Sequence, residues 1–136
     1  MNRPILIGYQ LLTGFSDAST GVLLLAAPGL ALRLMYLSVP SDALIYISFV
    51  GAFVLSVGLA CLHGGLLAYR RSSRAKLEIV WLLTAFTRAS VATFVIGQVL
   101  ASTLEAGWIT VAAADGACVL IQGIGLRRGW LAHVSR

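Results

Sequence analysis

Three charged residues sit where charge is expensive. Arg88 lies near the middle of residues 79–101, IVWLLTAFTRASVATFVIGQVLA, and is the only charge there. Asp17 and Asp115 interrupt two other apolar runs. An arginine at the centre of a membrane helix costs about 2.5–3.5 kcal/mol on insertion scales, so it is kept only with a partner, a wet cavity or an escape to the interface. A carboxylate is the partner of choice, because it can take two parallel hydrogen bonds from a guanidinium. Gln10 and Gln122 each lie seven residues from an aspartate, almost two full helical turns, so each pair shares a helix face. Around Arg88, the face Trp81, Thr84, Arg88, Val91, Val95, Gln98, Ser102 carries Thr84, Gln98 and Ser102 beside the arginine. Asp17, Arg88, Asp115, Gln10, Gln122, Gln98 and Thr84 therefore form the candidate buried polar site.

Such a set can hold helices in register, serve as a substrate, quinone or proton-handling site, or make a contact to a partner subunit. Two aspartates and one arginine are not all comfortably charged at low dielectric. The expectation is that one carboxylate pairs with Arg88 while the other keeps a proton, the group titrating as a unit. No catalytic residue is assigned. The sequence contains no HExxH, GxSxG or phosphate loop. Cys61 and Cys118 fall in apolar runs without CxxC spacing and read as small buried hydrophobes. His63 reads as a hydrogen-bonding residue near a helix end, and no metal site is expected.

The elements that position these residues follow from composition. Of the 136 residues 59% are hydrophobic and 11% charged, with mean hydropathy +0.92, too little polar surface for a soluble domain. The reading is all-α: one integral membrane domain over residues 1–136, a four-helix bundle with spans at about 4–27, 43–67, 79–102 and 108–126. Each matches the roughly 20 residues that cross a hydrocarbon core about 30 Å thick. Pro28-Gly29 stops the first span, and Leu30, Leu34 and Leu37 suggest a short interfacial helix within residues 29–39, between spans one and two. Gly51, Gly58 and Gly65 recur every seven residues and make a flat strip for close helix packing. Asp17 breaks what would otherwise be the apolar core of a cleavable signal peptide, so that reading is not favoured.

Four spans put both ends on one side with the polar stretch 69–76. Arg3, Arg70, Arg71, Arg74, Lys76, Arg127, Arg128 and Arg136 collect there, against Arg33 opposite. This positive-inside pattern makes the termini cytoplasmic. It also accounts for the net charge of +5 without nucleic acid. Trp81, Tyr69 and Trp130 are expected in the inner aromatic belt, Trp108 and Tyr36 in the outer. At about 1.5 Å per residue, Asp17 and Asp115 reach the same depth, with Gln10 and Gln122 in a second layer roughly 10 Å nearer the cytoplasm.

The glycine-rich first helix ending at Pro28, the charge in the third and a last helix written W-x6-D-x6-Q before a basic tail resemble small bacterial membrane proteins of the DoxX-like kind. The resemblance covers most of the chain and implies an accessory subunit of a quinone-linked membrane complex. It carries over no catalytic residue. The leading reading is a non-catalytic accessory or assembly subunit, with a quinone or other apolar ligand as candidate cofactor. The bilayer, other membrane subunits or a second copy would be its partners. The alternatives are an oligomeric transporter or proton-coupled channel, and a membrane enzyme with Asp17 and Asp115 as acid and base.

Overall fold

A computed structural model describes residues 2–133; Arg136, one of the eight basic residues counted above, lies outside them. Five α-helices make up the fold: α1 (Arg3–Ala26), α2 (Pro28–Leu34), α3 (Leu44–Tyr69), α4 (Arg74–Leu100) and α5 (Ile109–Arg127). Short 3-10 turns lead into α3 and α5, and another, Trp130–His133, follows α5. There is no strand among the described residues. Three helical stretches are long and apolar enough to cross a membrane: Ser41–Tyr69, Arg74–Leu100 and Ala106–Arg127. The 24-residue α1 has the length as well, but Gln10, Thr13, Ser16, Asp17, Ser19 and Thr20 dilute its apolar character.

The helix ends differ from the sequence expectations in instructive ways. Pro28 does not simply stop α1. The chain bends at Ala27 (φ −149°, ψ 64°) and Pro28 opens α2, where its missing N–H leaves nothing unpaired. α2 buries Ala31 and Leu32, while Leu30 and Leu34 face outward. α4 begins at Arg74, five residues before the expected start, so Arg74 and Lys76 belong to the helix and the turn shrinks to residues 70–73. Arg74 is held there by Glu78 one turn on, 2.6 Å away. Tyr36, Arg71 and Ser102 take left-handed φ values of 56°, 51° and 58° just beyond three helix ends. In each case the next residue's N–H returns to a carbonyl five residues back, as with Ser72 to Leu67 at 2.9 Å.

α1 and α3 pack along glycine. A Cβ on Gly14 would lie 2.8 Å from the Leu62 backbone nitrogen, and one on Gly51 would lie 2.7 Å from Leu24. Gly21 and Gly58 are tighter still, against the backbones of Leu55 and Ala18. The expected flat strip on α3 thus meets a matching one on α1. Beyond this seam, α3 lies beside α4 and α4 beside α5, and no comparable backbone approach joins α1 to α4 or α5.

Followed along α4, the interior is layered. Leu77 and Trp81 pack with Leu6, Ala68 and Leu131 in one apolar cluster. Thr84 and Arg88 follow, and then Ala92 and Val95 join Ala112 in a second. Trp81 is therefore core, fully buried against Gly125, rather than a member of an interfacial belt. Tyr69 and Tyr36 are exposed as belt residues would be.

Candidate functional site

Between the two apolar clusters, α1, α4 and α5 bring Asp17, Arg88 and Asp115 together in the interior, while Ser16, Thr87 and Ser90 stay exposed. Arg88 is 5% exposed and bridges two helices at once. Nη1 donates to Asp115 Oδ1 of α5 at 2.7 Å, and Nη2 donates to Asp17 Oδ2 of α1. The expected single pair with a lone second carboxylate is replaced by a shared guanidinium, because its two terminal nitrogens point in different directions and each finds an oxygen. Only Arg88 Nε lacks a partner. Cys61 and Cys118 both lie within electrostatic reach of Arg88, and Tyr9 is set against Cys118.

One layer toward the basic end, pairing is incomplete. Gln122 Nε2 donates to Thr84 Oγ1 at 2.8 Å, and the Thr84 hydroxyl donates onward to the Val80 carbonyl at 2.8 Å. Gln122 Oε1, Trp81 Nε1 and both ends of the Gln10 amide have no partner, although Gln10 and Trp81 are fully buried. Buried polar atoms are nearly always paired, so three such side chains in one region are a distinctive feature. The Gln10 amide nitrogen lies where a Cβ on Gly64 would be 2.7 Å away, and Val80 flanks the same point.

Six of the seven candidate residues therefore gather in two layers. Gln98 does not join them. It is half-buried near the far end of α4, where its Oε1 accepts from Thr103 Oγ1 at 2.5 Å in the turn toward α5. Beyond Arg88 the buried stripe runs through Ala92 and Val95, not Val91. A helix of 3.6 residues per turn drifts off any fixed spacing, which carries Val91 and Gln98 out of the interior. His63 is exposed. Tyr9 and the two cysteines are neighbours the polar pattern missed, because they lie in apolar runs, and Trp81 was placed on the Arg88 face but not counted in the site. The signal available for Trp81 was its place one turn before Thr84 on the same face.

A groove of about 200 Å³ between α3 and α4 opens to the outside of the bundle, lined by Phe53, Ser56, Val57, Ala60, Leu83, Thr84 and Thr87. Thr84 thus belongs both to this groove and, through Gln122, to the buried layer. Gly64 and Val80, which flank the Gln10 amide, are one turn beyond Ala60 and Thr84.

Set against protein-family models, curated proteins and solved structures, the chain matches none.

Proposed function

We propose that α1, α3, α4 and α5 all cross a bilayer as a four-helix bundle, with α2 in the interface, and that the chain serves as a non-catalytic accessory or assembly subunit of a membrane complex. An inverted distribution of polarity supports insertion. Arg88, Gln10 and Gln122 are buried, whereas Leu12, Phe15, Phe49, Phe53, Phe86 and Leu100 are exposed. Membrane helices turn polar residues to the bundle interior and apolar ones to lipid. α1 fits as a fourth span on the same ground, since its polar residues Gln10 and Asp17 face the other helices. Apart from Arg88, the described Lys and Arg residues stand seven at one end and Arg33 at the other, which supports a cytoplasmic basic end, and the DoxX-like resemblance adds a bacterial inner membrane to the proposal. A reporter active only in the cytoplasm should work when inserted at Arg71 and fail at Ser38 or Glu105; an active Glu105 fusion refutes the four-span arrangement.

The function rests on one observation: a groove open to the outside of the bundle whose inner wall, Thr84, is hydrogen-bonded to a buried layer with unpaired polar atoms. An apolar ligand with a polar head suits that combination. A quinone fits chemically, because its carbonyl oxygens accept hydrogen bonds, and the unpaired donors Gln10 Nε2 and Trp81 Nε1 lie fully buried in the layer behind the groove, not in its lining. The resemblance to DoxX-like proteins points the same way. Arg88 already engages both carboxylates that could serve as acid and base, which favours a holding role over a catalytic one. The test is mass spectrometry of the protein purified in mild detergent, beside Ala60→Phe, which fills the groove. The expected result is a lipid-soluble ligand and partner subunits with the parent protein, and the subunits without the ligand in the variant. A parent protein that purifies alone and empty refutes the reading.

A further inference from the structure

A second groove, of about 610 Å³, lies at the basic end of the molecule, where the first turns of α1 meet the last turn of α3. Pro4, Ile7, Gly8 and Leu11 line it, and Arg3 and Tyr69 close its mouth. Gly8 has no internal reason to be glycine. A glycine inside a helix weakens it relative to alanine, and Gly14 and Gly21 of the same helix are required by the α3 backbone. At Gly8, by contrast, a Cβ would meet nothing of this chain within 4 Å. Its bare backbone serves as a wall of the groove.

The mouth is strongly cationic. Arg3 Nε donates to the Ala68 carbonyl at 3.1 Å and Nη2 donates to that of Tyr69, while the guanidinium stands 5.9 Å over the Tyr69 ring. These contacts fix its position without neutralising it. Arg70 and Arg71 follow immediately on the exposed turn. The ion pairs among the described residues engage Arg74 and Arg88, leaving Arg3, Arg70 and Arg71 without a carboxylate. An apolar trough with the Arg3 guanidinium in its lining, and Arg70 and Arg71 on the exposed turn that follows Tyr69, complements a molecule with a hydrocarbon chain and a phosphate, since arginine binds phosphate by paired, charge-assisted hydrogen bonds.

We propose that this groove is a binding site for one anionic phospholipid, with an acyl chain along Gly8 and Leu11 and the phosphate at Arg3 and the Arg70-Arg71 turn. The site lies apart from the Thr84 groove and rests on the membrane reading only in requiring this end to sit at headgroup level. A basic residue near an anionic surface contributes about a fivefold preference. The full chain in mild detergent is equilibrated with equal amounts of phosphatidylglycerol and phosphatidylcholine of identical chains, and retained lipid is counted by native mass spectrometry. One phosphatidylglycerol is expected, at least about fivefold over phosphatidylcholine. Gly8→Leu should abolish this retention yet leave thermal unfolding in lipid-free detergent no worse, because its side chain enters the groove. Arg70→Gln with Arg71→Gln should keep a lipid but bring the two kinds toward parity. Equal retention of both lipids by the parent chain, or undiminished phosphatidylglycerol on Gly8→Leu, overturns the site. Alkaline carbonate extraction of the source membranes separates the two failures. A chain released by carbonate overturns the membrane reading as well, whereas a resistant chain without lipid preference overturns the lipid site alone.

Discussion

α1 is held to its neighbours by two adjacent edges of one stripe, and the two edges work by opposite physics. On one edge, Gly14 and Gly21 remove side chains so that the α3 backbone can approach. On the other, Asp17 reaches out to the Arg88 guanidinium across a separation that no backbone contact closes. The glycine seam depends on shape alone, through dispersion between closely packed atoms. The ionic seam depends on charge balance, and its members are worth keeping only together. In the proposed bilayer setting, where lipid tails are as apolar as side chains, both would be needed because burial of apolar surface does not itself drive helices together. One edge fixes the distance of α1 from α3. The other fixes which residues of α4 and α5 stand opposite it.

The comparison is sharpest where the two seams are broken, by thermal unfolding in detergent. The largest effect should come from Arg88→Leu, which strands two partly buried carboxylates at a cost of up to about 3–5 kcal/mol, the range for a fully buried pair. Combining it with Asp17→Asn and Asp115→Asn should recover most of that loss; strictly additive losses would mean the three groups do not act as a unit. The glycine seam should behave differently. Gly58→Ala drives a Cβ into the Ala18 backbone and should cost about 2–3 kcal/mol, near the upper range for overpacking, with no charge change able to rescue it. Gly97→Ala is the control: nothing lies within 4 Å of its Cβ, so stability should rise by up to about 1 kcal/mol. If both alanines are equally tolerated, the close approach of α1 and α3 is wrong.

Smaller effects test the shared guanidinium. Asp17→Asn and Asp115→Asn should each cost about 1.5 kcal/mol, and about equally, since each keeps an acceptor oxygen while Arg88 retains the other carboxylate. A large loss from one and none from the other would restore the single-pair arrangement. The smallest effect is expected at Gln10→Met, where an unpaired buried amide is exchanged for an apolar group of similar length. Stability should stay within about 0.5 kcal/mol of the parent. A clear loss would show that Gln10 is paired after all.

Much of this arrangement was already legible in the residues. Apolar runs and their breaks marked the helices, and a rise of about 1.5 Å per residue set Asp17 and Asp115 at one depth. The seven-residue spacing of Gly51, Gly58 and Gly65 marked a packing face. Periodicity reports height and face along a single helix, and those quantities survive folding. It does not report how one helix is rotated and placed against another, and that is where tertiary structure decided the outcome. Arg88 could serve both aspartates only once α1 and α5 stood on either side of it. Trp81 moved from the interface to the core because Gly125 of α5 leaves room for its ring, and Gln98 left the polar site because its helix face had turned away. A long side chain selects its partner from whatever lies within reach, and what lies within reach is a property of neighbouring helices rather than of its own sequence.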